Sequence, residues 1–327
     1  MTLPYTLRLL CLCFASFFLV HAALGLAAWI ATPSATRIGE SMRPRSGARL
    51  LLALRLLPVT VAALAVAGFC IPSYLWLETN EATERVGLAC CAIALLGAVV
   101  CASSLIRSAR ALWLSIWHTM QYRREGRTLN PSHSLAITVI DSDAPMLALA
   151  GMMRPRVIVS RGVLQTLSNE EIEAALAHER AHHKAADNWK RLVLFLAPDI
   201  FPFSRAFTRL NRSWTKLIEW AADDDATAGD ASRSVSLAAA LVCIARMGSG
   251  STPSPLASAF LKNDDELPVR VNRLLGLTTP VQAKTSSHRV RLALGTTAIL
   301  ITVLTVTAVI QPATFVSVHR LLEQLIR

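Results

Sequence analysis

The chain has 327 residues, of which 53% are hydrophobic, with a mean hydropathy of +0.44 and a formal net charge of +11. That apolar content is high for a soluble globular protein and predicts several membrane spans. The excess arginine clusters beside the apolar runs and no nucleic-acid module is present, so the basic surface is expected to meet anionic lipid rather than nucleic acid.

Four runs are long enough to span a bilayer: Leu9–Ala31, Leu56–Leu77, Val86–Ile106 and Leu292–Ile310. The first reads alternatively as a cleaved signal peptide, but its apolar run exceeds the usual length of such a segment. Arg37, Arg43, Arg45 and Arg49 follow the first run, and Glu78, Glu81 and Glu84 separate the second from the third. Arg107, Arg110, Arg123, Arg124 and Arg127 follow the third, and Lys284, Arg289 and Arg291 precede the fourth. By the positive-inside rule this alternation predicts residues 1–106 as three spans, a cytoplasmic region over 107–291 and a short extracytoplasmic tail over 311–327. The expected location is a bacterial-type inner membrane. The fold class expected is a mainly α membrane protein with four transmembrane helices and a small α+β domain.

Within the cytoplasmic region, residues 107–127 are expected to continue the third span as a basic helix. Asn130-Pro131-Ser132 marks a break. Leu135–Ile140, Met146–Leu149 and Val157–Val159 read as short strands. One exposed strand edge would pair with an extended peptide, unless the sheet only packs under the following helix. Residues 192–203 are apolar but too short to span, and form either a core hairpin or a re-entrant segment beside Trp189 and Trp214. Helices are expected over 205–228, 232–247 and 268–275, with a Gly/Ser/Pro-rich loop at 248–255.

The chemistry lies in His178-Glu179-Arg180-Ala181-His182, an H-E-x-x-H pattern. Histidines four apart on a helix face the same way and can share one metal ion, with Glu179 beside them as general base. Ser168 and Glu171 form a capping-box pattern, and no Gly or Pro intervenes up to Asp187, so the motif falls mid-helix. A catalytic zinc usually takes three protein ligands. Glu219, in Glu219-x-x-x-Asp223, is the expected third, and Asp223 one turn on is expected to orient a ligand histidine. Asp187 reads either as a second such orienting group or as a local helix-end hydrogen bond. The seven cysteines have no C-x-x-C spacing and read as structural.

These features together resemble the BlaR/MecR-type membrane zinc metallopeptidases. The H-E-x-x-H between the third and fourth runs, the later E-x-x-x-D, Asp187 nine residues after His178, and Arg154–Val159 with Gly162-Val163-Leu164 carry the resemblance, which covers most of residues 1–311. It implies a gluzincin-type domain facing the cytoplasm. His178, His182 and Glu219 would hold one Zn2+ per chain, with Glu179 as catalytic acid/base and Asp223 supporting the ligands. The HtpX and CAAX-protease group shares the zinc motifs but usually places its spans differently. In the receptor members a penicillin-binding domain follows the fourth span. Here only residues 311–327 follow it, without S-x-x-K, so β-lactam sensing by serine acylation is not expected.

The expected activity is zinc-dependent endoproteolysis of a membrane-proximal or cytoplasmic protein. By resemblance alone, a transcriptional repressor in a signalling pathway is one such substrate. Two alternatives are an HtpX-like quality-control protease and a non-catalytic signalling or scaffold protein that retains a metal site. The three tyrosines all precede the zinc domain, so a tyrosine donor is not expected; Arg270, Arg233 or His288 could stabilise the oxyanion, and each reads alternatively as a surface or structural residue. The sequence does not choose among them, and it leaves the oligomeric state open.

Overall fold

The structure, a computed structural model, describes residues 4–77, 86–129, 135–199, 205–248, 258–259, 266–276 and 312–326. Three long apolar helices dominate it: α1 (Tyr5–Ser41), α2 (Pro44–Leu77, with a π-helical turn at Val66–Cys70) and α3 (Leu88–Glu125). Each is long and apolar enough to cross a membrane, and each extends past the run expected from the sequence. The fourth expected span, 292–310, lies outside the described residues. Helices α1 and α3 continue past the C-terminal ends of their runs, α1 in spite of Pro33, while α2 starts ahead of its run with Pro44 at its first position, where proline suits a helix.

The three helices pack closely where glycine allows it. A Cβ at Gly47 of α2 would sit 2.2 Å from the Gly39 carbonyl oxygen of α1. A Cβ at Gly97 of α3 would sit 2.4 Å from the Phe14 carbonyl oxygen. At the opposite end of α1 from Gly39, Leu12, Cys70, Tyr74 and Cys90 form a cluster with Leu322. Leu322 belongs to the terminal helix Pro312–Ile326.

A five-stranded mixed sheet follows the third helix: β1 (Arg127–Leu129), β2 (Ile137–Ile140), β3 (Leu147–Ala150), β4 (Arg156–Ser160) and β5 (Ser258–Ala259), in the order β1-β2-β4-β3-β5. Only β2 and β4 are parallel. The three expected strands are present with shifted ends. Strands β1 and β5 are additions, too short to give an alternating pattern. The sequence assigns the expected exposed edge to no one strand; β4 lies inside the sheet, and the outer side of β3 is covered, because Ala148 and Leu149 pair with Ala259 and Ser258 of β5.

The helices of this region are α4 (Arg161–Thr166), α5 (Asn169–Ala185), α6 (Asp187–Leu196), α7 (Arg205–Thr227), α8 (Ala231–Arg246) and α9 (Leu267–Leu274). Leu147, Leu149, Val157 and Val159 from the sheet pack against Ala174 and Ala175 of α5 and Leu237, Ala240 and Leu241 of α8. A second core joins the membrane helices to this region: Ala48 and Leu51 of α2 meet Leu210, Trp214, Leu217 and Ile218 of α7. Thus α7 is packed by α2 on one side and by α5 and α8 on the other.

Candidate metal centre

Helix α5 starts with the expected capping box. The Ser168 N–H donates to Glu171 Oε2 at 2.8 Å, and the Glu171 N–H donates to Ser168 Oγ at 3.3 Å. The helix does not run on through Asp187. Ala186 takes a left-handed conformation (φ 56°, ψ 39°), and α6 starts afresh at Asp187. The break turns α6 back so that Asp187 faces α5.

Four charged side chains from α5 and α7 are buried together: His178, Glu179 and His182 are fully inaccessible, and Glu219 is 4% exposed. His178 Nε2 and His182 Nε2 are 3.1 Å apart, and Glu219 Oε2 is 3.5 Å from the first and 3.6 Å from the second. Each ring turns its other nitrogen to a carboxylate: His178 Nδ1 to Asp223 Oδ1 at 2.9 Å, and His182 Nδ1 to Asp187 Oδ2 at 2.8 Å. A carboxylate only accepts, so both Nδ1 atoms carry hydrogen in the neutral rings. Both Nε2 lone pairs then converge with a carboxylate oxygen that has no hydrogen-bond partner. Three acceptors at such separations repel one another unless a cation stands between them.

The residues therefore fit a metal ion. His178, His182 and Glu219 can hold one, and their donor atoms lie within 4.8 Å of one another. Tetrahedral zinc with bonds of about 2.0–2.1 Å requires ligand atoms on the order of 3.3 Å apart, close to the triangle seen here. Two imidazoles and one carboxylate also suit that ion, leaving a fourth position open.

Without a metal, protons take the cation's place. Burial opposes protonation of His182, but the Glu219 charge and the Asp187 contact outweigh it and push the ring up to about 10. His178 is raised as well: burial works against the charge, and Asp223 and Glu219 overcome it. Burial favours the neutral carboxyl at Glu219, yet the charge on His182 holds it well below the usual range. Glu179 moves the other way. Burial drives it up to about 7, with His182 and His178 offsetting part of the effect. Its Oε2 accepts from the Leu149 N–H of β3 at 2.8 Å, and its Oε1 has no partner.

Arg270 of α9 is buried in this cluster. Its Nε and Nη2 donate to the two Asp223 oxygens at 3.0 and 2.6 Å, and its Nη1 is 3.4 Å from Glu219 Oε2. Burial raises the Asp223 carboxyl, but Arg270 dominates and brings it down to about 2. Arg270 therefore holds the carboxylate that faces His178 Nδ1. Arg233 lies on the exposed first turn of α8, in a hollow with Glu170, Glu173 and Arg180. His288 lies outside the described residues.

Two neighbours escaped the sequence reading. Arg191 is 3.5 Å from Glu219 Oε1, and the Asn188 amide donates to the Gly151 and Leu149 carbonyls at 3.2 and 3.4 Å. Both follow Asp187 by less than two turns, so the helix break that brings in Asp187 brings them too.

Three apolar helices and a buried His-His-Glu cluster define a membrane protein with a candidate metal centre. Residues 77–274, from the end of α2 to the end of α9, match the BlaR1 peptidase M56 family, and the chain belongs to it. That family makes it a membrane-associated peptidase of a metal-dependent kind. Among curated proteins, nothing matches the chain.

Proposed function

We propose that the chain is an integral-membrane zinc endopeptidase, with His178, His182 and Glu219 as ligands and Glu179 as general acid/base. The observation that carries this reading is the convergence of two Nε2 atoms and one carboxylate oxygen beside a buried glutamate. Zinc, when bound, supplies Lewis acidity to the scissile carbonyl and to the attacking water. Glu179 takes the water's proton on Oε1 and returns it to the leaving amine. Asp223 and Asp187 keep the ligand rings in the Nδ1–H form, and Arg270 holds Asp223 in place.

An extended substrate would pair with β3, which carries the Leu149 N–H bound to Glu179. Ser258–Ala259 now fill that edge, so a substrate must enter beside or in place of them. The substrate is a membrane-proximal or cytoplasmic protein. A transcriptional repressor follows from the family likeness, and the domain would face the cytoplasm, as the arginine distribution predicts.

The test is to purify the chain in detergent and compare zinc content and cleavage of a casein-like protein and of candidate repressors by wild type and Glu179→Gln. Zinc bound by both, with cleavage lowered roughly 10²–10⁴-fold in the variant, supports the reading. Zinc without any Glu179-dependent cleavage supports a scaffold with a retained metal site. Cleavage of unfolded proteins generally, with no preferred repressor, supports a quality-control protease.

A further inference from the structure

A cavity of about 260 Å³ lies between α2, α3, α6 and α7, and Arg55, Arg107, Arg191, Asp199, Phe195 and Trp214 line it. Asp199 pairs with both Arg55 and Arg107, the latter at 3.2 Å. One carboxylate shared by the guanidinium groups of Arg55 and Arg107 leaves this wall cationic, while Arg191 is answered by Glu219 Oε1 at 3.5 Å. Two of the lining residues, each 3% exposed, have a buried N–H with no hydrogen-bond partner among the described residues: Nε of Arg55, whose guanidinium also stacks on Phe207, and the indole nitrogen of Trp214. Unmet buried donors are costly, and donors beside guanidinium groups suit the oxygens of an anion.

Depth says where the anion comes from. At 1.5 Å per residue, α3 rises about 29 Å from Leu88 to Arg107, and α2 rises about 33 Å from Leu77 back to Arg55. The hydrocarbon core of a bilayer is about 30 Å thick, so both arginines fall at one headgroup plane. Leu105 and Ile106 are exposed on α3 just before Arg107. On α6 the exposed Trp189, Val193 and Leu196 form one stripe, while Asp187, Asn188 and Arg191 occupy the buried face. The stripe is apolar and lies next to the cavity, as in a helix resting on a membrane surface.

We propose that this cavity binds the phosphate of an anionic membrane lipid. The headgroup sits among Arg55, Arg107, Arg191 and Trp214, and the acyl chains run along the exposed faces of α3 and α6. Arg191 links this site to the metal centre, because it also stands 3.5 Å from Glu219 Oε1.

The test uses the full chain in nanodiscs of phosphatidylcholine with or without phosphatidylglycerol. Lipid retained on the released protein is counted by native mass spectrometry. Wild type is expected to retain phosphatidylglycerol in preference to phosphatidylcholine. Arg107→Gln is expected to weaken that retention roughly tenfold, through loss of a charged donor. Arg110→Gln, exposed one turn along the same helix, is expected to leave it unchanged. Trp214→Phe gives a second check that keeps the Arg107–Asp199 pair and is expected to weaken retention too. Equal retention of the two lipids by wild type, or unchanged retention by both Arg107→Gln and Trp214→Phe, would overturn the site. Inorganic phosphate in phosphatidylcholine discs is expected to leave the melting temperature unmoved. A shift equal to that given by phosphatidylglycerol would overturn the lipid as the source. These readouts need neither metal nor substrate, so they stand apart from the peptidase reading.

Discussion

Asp187 Oδ2 meets His182 Nδ1 at 2.8 Å across a helix break, although only five positions separate the two residues. In an unbroken helix Asp187 would point well away from His182. The left-handed Ala186 supplies the turn, at a cost of roughly 1–2 kcal/mol for a residue with a Cβ. Lys190 steadies the same carboxylate from one turn along α6, at 2.7 Å. The arrangement fixes the His182 ring and leaves its Nε2 toward His178 and Glu219.

Asp187→Ala is therefore expected to weaken zinc binding by roughly 10–100-fold, the usual effect of losing such a support. Asp187→Asn keeps an oxygen that can accept the Nδ1–H and should weaken it less. Competition with a fluorescent chelator measures both. Unchanged affinity in Asp187→Ala would reduce the contact to a helix-end bond.

Arg270→Ala leaves Asp223 buried and without its bidentate partner. Breaking a buried pair from one side costs about 3–5 kcal/mol, so the variant should unfold at markedly lower denaturant. Arg270→Lys keeps the charge but not the fork, and should fall between the two. Denaturation followed by circular dichroism in detergent gives the order. A fully stable Arg270→Ala protein with weakened cleavage would instead place Arg270 in direct contact with the reacting carbonyl.

In the metal-free protein the folded pKa of His182, about 10, is above its ordinary value of 6.5. A raised histidine contributes stability that is complete below about pH 6.5 and lost as pH climbs through about 10. Zinc binds the neutral ring and does not depend on that proton. The melting-temperature gain on adding zinc should thus grow from pH 6.5 upward. Scanning the melting temperature with and without zinc between pH 6 and 9 checks the sign. A gain that shrinks with pH would contradict ligation through His182.

Gly47→Ala places a methyl group 2.2 Å from the Gly39 carbonyl oxygen and 3.0 Å from Leu217 Cδ1. Backbone cannot yield as a side-chain tip can, so α1 and α2 must separate, at a cost of about 1–3 kcal/mol or more. Because Leu217 stands only two residues before Glu219 in α7, a shift of the helix at Leu217 displaces Glu219 too, and zinc affinity should fall with the melting temperature. Gly25→Ala, which meets nothing within 4 Å, is the matched control and should change neither.

The sequence by itself determined the types of the candidate metal ligands and most of their placement. The i,i+4 histidines and the capping box are local features, and a helix displays them without help from the rest of the chain. The three apolar helices were equally legible, because a bilayer-spanning run is a property of composition and length. That Asp223 would face a ligand histidine was expected from E-x-x-x-D, since one helical turn fixes where it stands relative to Glu219; that the histidine is His178 came from the structure. Tertiary structure decided the rest. That Glu219 of α7 meets α5 depends on α2 and α8 clamping α7 from two sides, a long-range packing that no window of sequence contains. Arg270 read as one of three candidate oxyanion donors, and only the docking of α9 turned it toward Asp223. Arg191 and Asn188 carried no signal, since the turn at Ala186 that brings them in lacks the glycine that usually announces it. Local periodicity thus specified the candidate ligands, and the packing of α7 between α2 on one side and α5 and α8 on the other brought them to one point.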